Sequence, residues 1–239
     1  MSKHIKRKLI YNYSSDEDFM EAKVIGGNPN GIFNFNRCPQ KWAQEIYRNM
    51  RDRTWFPQQV NISKDKVNYP KLDPKMKKSY DLVLAQLISN DSIQSSQLVE
   101  RINCFVTSPI VNACLIQQAT DEVVHADSYS VMAEDICQDT DRIYSMWKYD
   151  EELALKNKAV ADMYQMLYNS DDPTEEDLLL AFVANNCLEN IVFLGGFAFF
   201  FSIEDAMVGT SEMISEIKDF GERNQSNLYE WNTVHSLTM

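Results

Sequence analysis

The sequence predicts an all-α protein, and three observations carry that reading. Only seven Gly and seven Pro serve all 239 residues, so few points can stop a helix. Pro heads three long uninterrupted runs, at Pro39, Pro74 and Pro109. The first helical turn tolerates Pro because the missing N–H would have no intrahelical partner there. Period-two alternation, the mark of a half-buried strand, is scarce. At 44% hydrophobic residues, the chain can bury one sizeable core.

Residues 1–37 read as an irregular segment. Ile25 to Gly31 (Ile-Gly-Gly-Asn-Pro-Asn-Gly) is a dense turn cluster. A phosphate loop would need Gly-Lys-Ser/Thr leading from a strand into a helix, and none follows. Pro39 opens a helix to about Arg51, which Trp55-Phe56-Pro57-Gln58-Gln59-Val60 breaks. Lys64 to Tyr69 reads as a polar connector. Pro74 opens a second helix, to about Asn103, with an apolar face of Leu84, Leu87, Ile88, Leu98 and Ile102. Asp91 falls in the middle of that face. The polar run Ser89-Asn90-Asp91-Ser92 also allows an exposed Asp91 at a helix break. The third helix runs from Pro109 to about Cys137. After a loop near Gln138-Asp139, a fourth runs from Glu151 to Tyr168. Ser170 to Pro173 is a turn, and Glu175-Glu176 suit a first turn because negative charge is favoured at a helix N-terminus. The fifth helix, Thr174 to about Asp205, is strongly apolar. Gly195-Gly196 inside it is costly in propensity and predicts a local distortion there.

With 23 basic and 35 acidic residues the net charge is −12. That balance argues against nucleic acid or a membrane surface as a partner. Five dispersed cysteines with no C-x-x-C pair predict reduced thiols and a cytoplasmic location. The basic N-terminus runs into Ser14-Ser15-Asp16-Glu17-Asp18 and is no signal peptide. Ile191 to Ile203 is too short for an ordinary membrane span and reads as a buried core helix.

The chemistry is concentrated on three of these helices. Glu122, His125 and Tyr129 stand at i, i+3 and i+7, so they share one face with Val111, Leu115 and Ala133. A carboxylate pointing into a core is costly without a cationic partner. Glu189 interrupts the most apolar part of the fifth helix, whose face also carries Phe182, Phe193, Phe197 and Phe200. A buried Arg or Lys is one partner for it; a metal is the other. A Glu-x-x-His projecting inward is one quarter of a carboxylate-bridged dimetal site in a helix bundle. Asp91, Glu122, His125 and Glu189 together offer hard oxygen donors and one imidazole. Such a set suits iron or manganese, whereas structural zinc recruits cysteines.

At these residues the chain resembles the small, radical-generating R2 subunit of class I ribonucleotide reductase. Asn90-Asp91-Ser92-Ile93-Gln94 is similar to that family's first ligand motif, and Asp91 to Glu122 spans 31 positions, as in the family. Glu122-Val123-Val124-His125-Ala126-Asp127-Ser128-Tyr129 resembles its E-x-I-H-S-x-x-Y motif. Leu188-Glu189-Asn190-Ile191, with Phe193 and Phe197, resembles its third-ligand helix. Trp55-x-Pro57-x-x-Val60 resembles its tryptophan motif. The resemblance runs from about Gly26 to Asp219 and implies a ferritin-like helical bundle over 38–219, incomplete at the C-terminus. It implies a subunit of ribonucleoside-diphosphate reductase that uses two metal ions, iron with manganese as the alternative, and O2 to make a tyrosyl radical. By position, Asp91, Glu122 and His125 hold the first metal, and Glu189 holds the second with Glu122 bridging. Tyr129 carries the radical, Trp55 lies on the electron path, and Phe193 and Phe197 wall the radical pocket. The implied partners are the large subunit and a second copy of the chain.

The resemblance stops at residue 219, and 220–239 reads as a divergent tail. Where the family has D-E-x-x-H, this chain has Phe220-Gly221-Glu222-Arg223-Asn224, and Asn232-Thr233-Val234-His235 offers an amide in place of the carboxylate. An interrupted gene, a split subunit completed by a C-terminal fragment, and a degenerate, non-catalytic bundle are the three readings. The last would make the chain a structural partner.

Overall fold

The computed structural model describes residues 3–219, apart from the side chains of Met166 and Tyr168; the tail 220–239, with Glu222 and His235, lies outside them. The helices are α1 (Lys41–Asp52), α2 (Ser63–Asn68), α3 (Pro74–Gln97), α4 (Pro109–Val131), α5 (Thr140–Ser145), α6 (Glu151–Asn169), α7 (Glu175–Cys187) and α8 (Leu194–Ser202). A ninth, α9, covers 208–219. Among the described residues no strand forms; His4 with Thr174 and Ile25 with Val106 make only isolated bridges.

Side-chain caps set where the long helices begin. Asp73 accepts from the backbone N–H groups of Lys75 and Met76, and Ser108 from that of Val111; each precedes the Pro at the first helical position. Asp150 caps α6, and Thr174 and Asp177 cap α7 reciprocally. Each satisfies amides that the helix itself leaves unbonded. Two stretches differ from expectation. The polar connector contains α2, which the tertiary structure holds, and the loop after Gln138 leads at once into α5, capped by Asp139. Gln138 is left-handed, φ 56°, and ends the preceding helix.

Three helices pass into wider, π-type turns: α3 at Leu98–Ile102, α4 at Met132–Cys137, and α7 at Leu188–Phe193, before α8. The distortion expected at Gly195-Gly196 therefore lies just before it, around Glu189. Gly196 has another use. A Cβ there would stand 3.3 Å from both Leu87 and Val83, so its absence lets α8 approach α3 closely.

α3 runs along α4 and packs against α6 and α8, while α1 covers α4. The larger core joins Leu84, Leu87, Tyr129, Met132, Phe193, Phe197 and Phe200. A second core lies under α1 and the N-terminal segment, around Ile5, Val24, Phe105 and Leu178. Ile191 to Ile203 is not a buried helix throughout. Phe193, Phe197 and Phe200 are buried, but Ile191 and Leu194 are 68% and 49% exposed, because helical periodicity sends them to the opposite face. Glu175–Ser202 is long and apolar enough to cross a membrane by length and composition, a test that core helices of soluble proteins also pass.

α2 holds the start of α9. Asp65 is fully buried and accepts the backbone N–H groups of Gly209 (3.1 Å) and Thr210 (2.6 Å). Asn68 donates to the Ala206 carbonyl at 2.8 Å, and the Tyr80 and Thr210 hydroxyls meet at 2.9 Å. A Cβ on Gly209 would lie 2.7 Å from the Asn61 carbonyl oxygen. Asp65→Ala should lower stability by about 2 kcal/mol in urea denaturation, from a lost cap and two buried orphan amides. Gly209→Ala should also destabilise the chain. Unchanged midpoints for both would show that this joint is not what holds α9.

Candidate metal centre

The site is built where α3, α4 and the wide turn after α7 meet. Helical spacing places Glu122, His125 and Tyr129 on the inward face of α4, and all three are buried, as is Asp91 on α3. The alternative of an exposed Asp91 is excluded: it is 1% exposed. Asp91, Glu122 and His125 each offer one ligand atom, and these atoms lie within 4.8 Å of one another. His125 Nδ1 is 3.0 Å from Glu122 Oε2 and 3.9 Å from Asp91 Oδ2. Three such groups could hold a divalent cation.

Glu189 comes from the opposite side and is part-buried. Among the described residues no Lys or Arg forms an ion pair with it, so the expected cationic side-chain alternative does not occur. The Gln94 amide donates to Glu189 Oε1 instead. The wide turn matters here: one extra residue per turn shifts Glu189 in phase relative to the apolar residues before it, and π-type turns recur at functional sites.

Protonation follows from burial. Desolvation, then the neighbouring carboxylates, lifts Asp91 well above the usual carboxylate range. Burial raises Glu122 to about 7, and burial followed by Glu122 raises Glu189 to about 8. Asp121, beside them on α4, is pushed up to about 7 by burial. Burial pushes His125 down to about 4. Near neutral pH the metal-free cluster therefore retains protons on part of its carboxyls, while the imidazole is neutral. A divalent cation would replace those protons. Asp91 Oδ2 has no hydrogen-bond partner among protein groups, an orphan that an ion would satisfy.

Tyr129 is fully buried and its hydroxyl makes no hydrogen bond of ordinary geometry. Burial, then Asp91, Glu122 and Glu189, raise its pKa, which places the phenol among those carboxyls. Phe193 and Phe197 stack with ring centroids 6.1 Å apart in the same core. Trp55 is buried in that core too, but among the described residues no hydrogen bond or ion pair joins it to the cluster. Tyr164, on α6, escaped the sequence reading. It is 4% exposed, its hydroxyl has no protein partner, and burial, then Glu189 and Glu122, raise its pKa. The signal was present: Tyr164 falls in the apolar stripe Leu153, Val160, Leu167 of α6.

The family model for the ribonucleotide reductase small chain matches residues 32–219. The chain belongs to that family. It is 32% identical over 234 residues to the ribonucleoside-diphosphate reductase subunit beta of Treponema pallidum, covering 96% of this chain and 65% of that one. With the corresponding subunit of Aquifex aeolicus it shares 35% over 201 residues, covering 82% of this chain and 28% of the relative. This family member thus spans less than two thirds of either relative. Its fold superposes on the ribonucleotide reductase R2 subunit of Clostridium botulinum with a TM-score of 0.88 at 27% identity, over 99% of this chain and 76% of that one. The architecture is the ferritin-like bundle of the dimetal-carboxylate small subunits.

The pKa displacements fix how metal-free stability varies with pH. The raised carboxyls contribute stability that is full below their unfolded values near about 4 and is lost as pH rises through 7 to 8. His125 acts oppositely: its contribution is full above about 6.5 and is lost as pH falls through about 4. Several carboxyls outweigh one imidazole, so the melting temperature of the metal-free chain should fall between about pH 6 and about pH 8.5. Saturating Mn(II) should cancel that fall and release protons on binding, measured by calorimetry in buffers of different ionisation enthalpy. A melting temperature independent of pH, with no proton release, would contradict the assigned protonation.

Proposed function

We propose that the chain acts as the small subunit of ribonucleoside-diphosphate reductase, holding a tyrosyl radical on Tyr129 for the reduction of ribonucleotides to deoxyribonucleotides. One observation carries this reading: a buried carboxylate–imidazole cluster lies beside a phenol sealed from water. Asp91, Glu122 and His125 would hold a first metal ion, and Glu189, with Glu122 shared, would hold a second. When bound, the two ions (iron, with manganese the alternative) supply with O2 the oxidising power needed to take an electron from Tyr129. Once a bound cation has displaced its proton, Asp91 would be the acceptor for the phenolic proton. Phe193 and Phe197 keep water and thiols from the ring, which prolongs a phenoxyl radical's life. Trp55 is the electron carrier toward a large subunit, where the ribonucleotide binds.

A dimetal site of this type uses two Glu-x-x-His pairs, and these 239 residues contain a single one, Glu122 with His125. The remaining carboxylate and imidazole are then supplied from outside the described residues, in the same protein or in a complementing polypeptide. An exposed apolar ridge on α7, the wide turn and α8, made by Leu180, Val183, Ile191 and Leu194, lies on the outward face of the segment that carries Glu189 and suits a covering helix. The active form is a homodimer with the large subunit as partner. A cytoplasmic location fits the five free thiols.

Ferrous iron followed by O2 tests this, read by metal stoichiometry and electron paramagnetic resonance. The chain alone should bind one ion tightly, a second weakly, and give no tyrosyl signal. Adding a polypeptide that carries Glu-x-x-His should produce the signal, and Tyr129→Phe should abolish it. Absence of metal binding, or a signal that survives Tyr129→Phe, would refute the reading.

A further inference from the structure

Gln94 lies one turn beyond Asp91 on α3, on the same inward face. It is fully buried, and its amide nitrogen donates to Glu189 Oε1 across the helix interface. One turn further along, Gln97 Nε2 donates to Asn185 Oδ1 at 3.3 Å, and Asn185 lies one turn before Glu189. Gln97 and Asn185 are also buried, at 4% and 5% exposure. Two amide links, three residues apart on α3 and four apart along α7 and the wide turn that continues it, therefore join the same two segments. The second fixes how far α7 has slid along α3. The first reaches the carboxylate itself.

We infer that Gln94 is a positioning residue that aims the Glu189 carboxylate into the carboxylate–imidazole cluster. Glu189 needs such a hold because it sits at the start of a wide turn, where the backbone alone fixes direction less firmly than in an ordinary helix. The residue type is informative. A Lys or Arg at this place would form an ion pair with Glu189 and oppose a second cation. A neutral amide donor occupies one oxygen, leaves the charge in place and turns the other oxygen toward the cluster. A hydrophobic residue of the same size would fill the space and leave Glu189 held only by its hydrogen bond with Glu122. α3 thus contributes twice to the centre, through Asp91 directly and through Gln94 by way of Glu189. Groups that hold ligands in this way typically alter metal affinity ten- to a hundredfold, on the order of what losing a single good contact costs.

The inference rests on Glu189 being a metal ligand, as in the proposed function. The test is equilibrium dialysis of Mn(II), with Co(II) visible absorbance reporting coordination, into the metal-free full chain. The variants are Gln94→Leu, Gln94→Met, Glu189→Ala and each Gln94 change combined with Glu189→Ala. Helicity and melting temperature check folding, and Gln94→Met, unbranched and similar in volume, serves if Gln94→Leu folds poorly. The expected result is a roughly tenfold to hundredfold loss of the Glu189-dependent affinity in the Gln94 variants, with the tighter event at Asp91, Glu122 and His125 retained. In the Glu189→Ala background the Gln94 changes should cost nothing more, since a residue acting through Glu189 has nothing left to act on. Affinity that falls with Glu189→Ala but not with Gln94→Leu or Gln94→Met overturns the inference alone. A Gln94 effect that persists in full without Glu189 also overturns it. Affinity indifferent to Glu189→Ala removes the ligand role of Glu189 and this inference with it.

Discussion

The structure depends on one electrostatic constraint: several carboxyl groups and an imidazole are gathered in an apolar interior. Burying a single ionised carboxylate unpaired is costly, and here Asp91, Glu122 and Glu189 crowd together while Asp121 stands alongside. No Lys or Arg forms an ion pair with this set among the described residues. Protons meet the cost in the metal-free chain, as the raised carboxyls and the depressed His125 show. Protonation is a weak solution, because it leaves oxygens such as Asp91 Oδ2 without partners. A divalent cation satisfies both charge and lone pairs. The same interior that makes the carboxyls costly keeps Tyr129 dry.

Helix geometry delivers those groups, and it does so by departing from regularity where they sit. α4 is regular through Glu122, His125 and Tyr129 and widens only afterwards, at Met132–Cys137. α7 widens at Glu189 itself. The difference follows from the tasks. Three side chains at i, i+3 and i+7 need an undisturbed period to share a face. A single carboxylate that must point inward amid Phe193, Phe197 and Phe200 needs the phase shifted at that one place. Holding α9 at its N-terminus through Asp65 adds the wall formed by Met213, Ile214 and Ile217, all buried in the core that contains Tyr129.

What the sequence made legible follows the same physics. The long helices were readable because Pro at the first turn and an apolar helical face agree, as at Pro74 and Pro109; the capping side chains of Asp73 and Ser108 stand directly before them. The approach of Asp91, Glu122 and His125 was readable because each interrupts an apolar face, and a polar interruption needs a partner. α2 was not readable, since Ser63–Asn68 has no apolar period; its helix depends on Asp65 and Asn68 holding the turn before α9. The wide turn was misplaced to Gly195-Gly196 because propensity marks glycine, whereas the actual distortion answers to where Glu189 must point. Gln94 was read only as part of a motif; its partner lies 95 positions away, beyond any local pattern.

The helix carrying Glu189 is inside-out in a specific sense, and that property connects the site to the surface. Its inward side mixes Asn185 and Glu189 with phenylalanines, while its outward side carries Leu180, Val183, Ile191 and Leu194. An amphipathic helix on a water-facing surface would reverse the second half of that arrangement. A bound cation would account for the inward polar groups, and a covering surface for the outward apolar ridge. Both demands fall on one segment but on opposite faces: the inward side asks for further ligands beside Glu189, and the outward side asks for a cover over the ridge. Completing the centre and burying the ridge are therefore separate contacts, because the thickness of the helix lies between them.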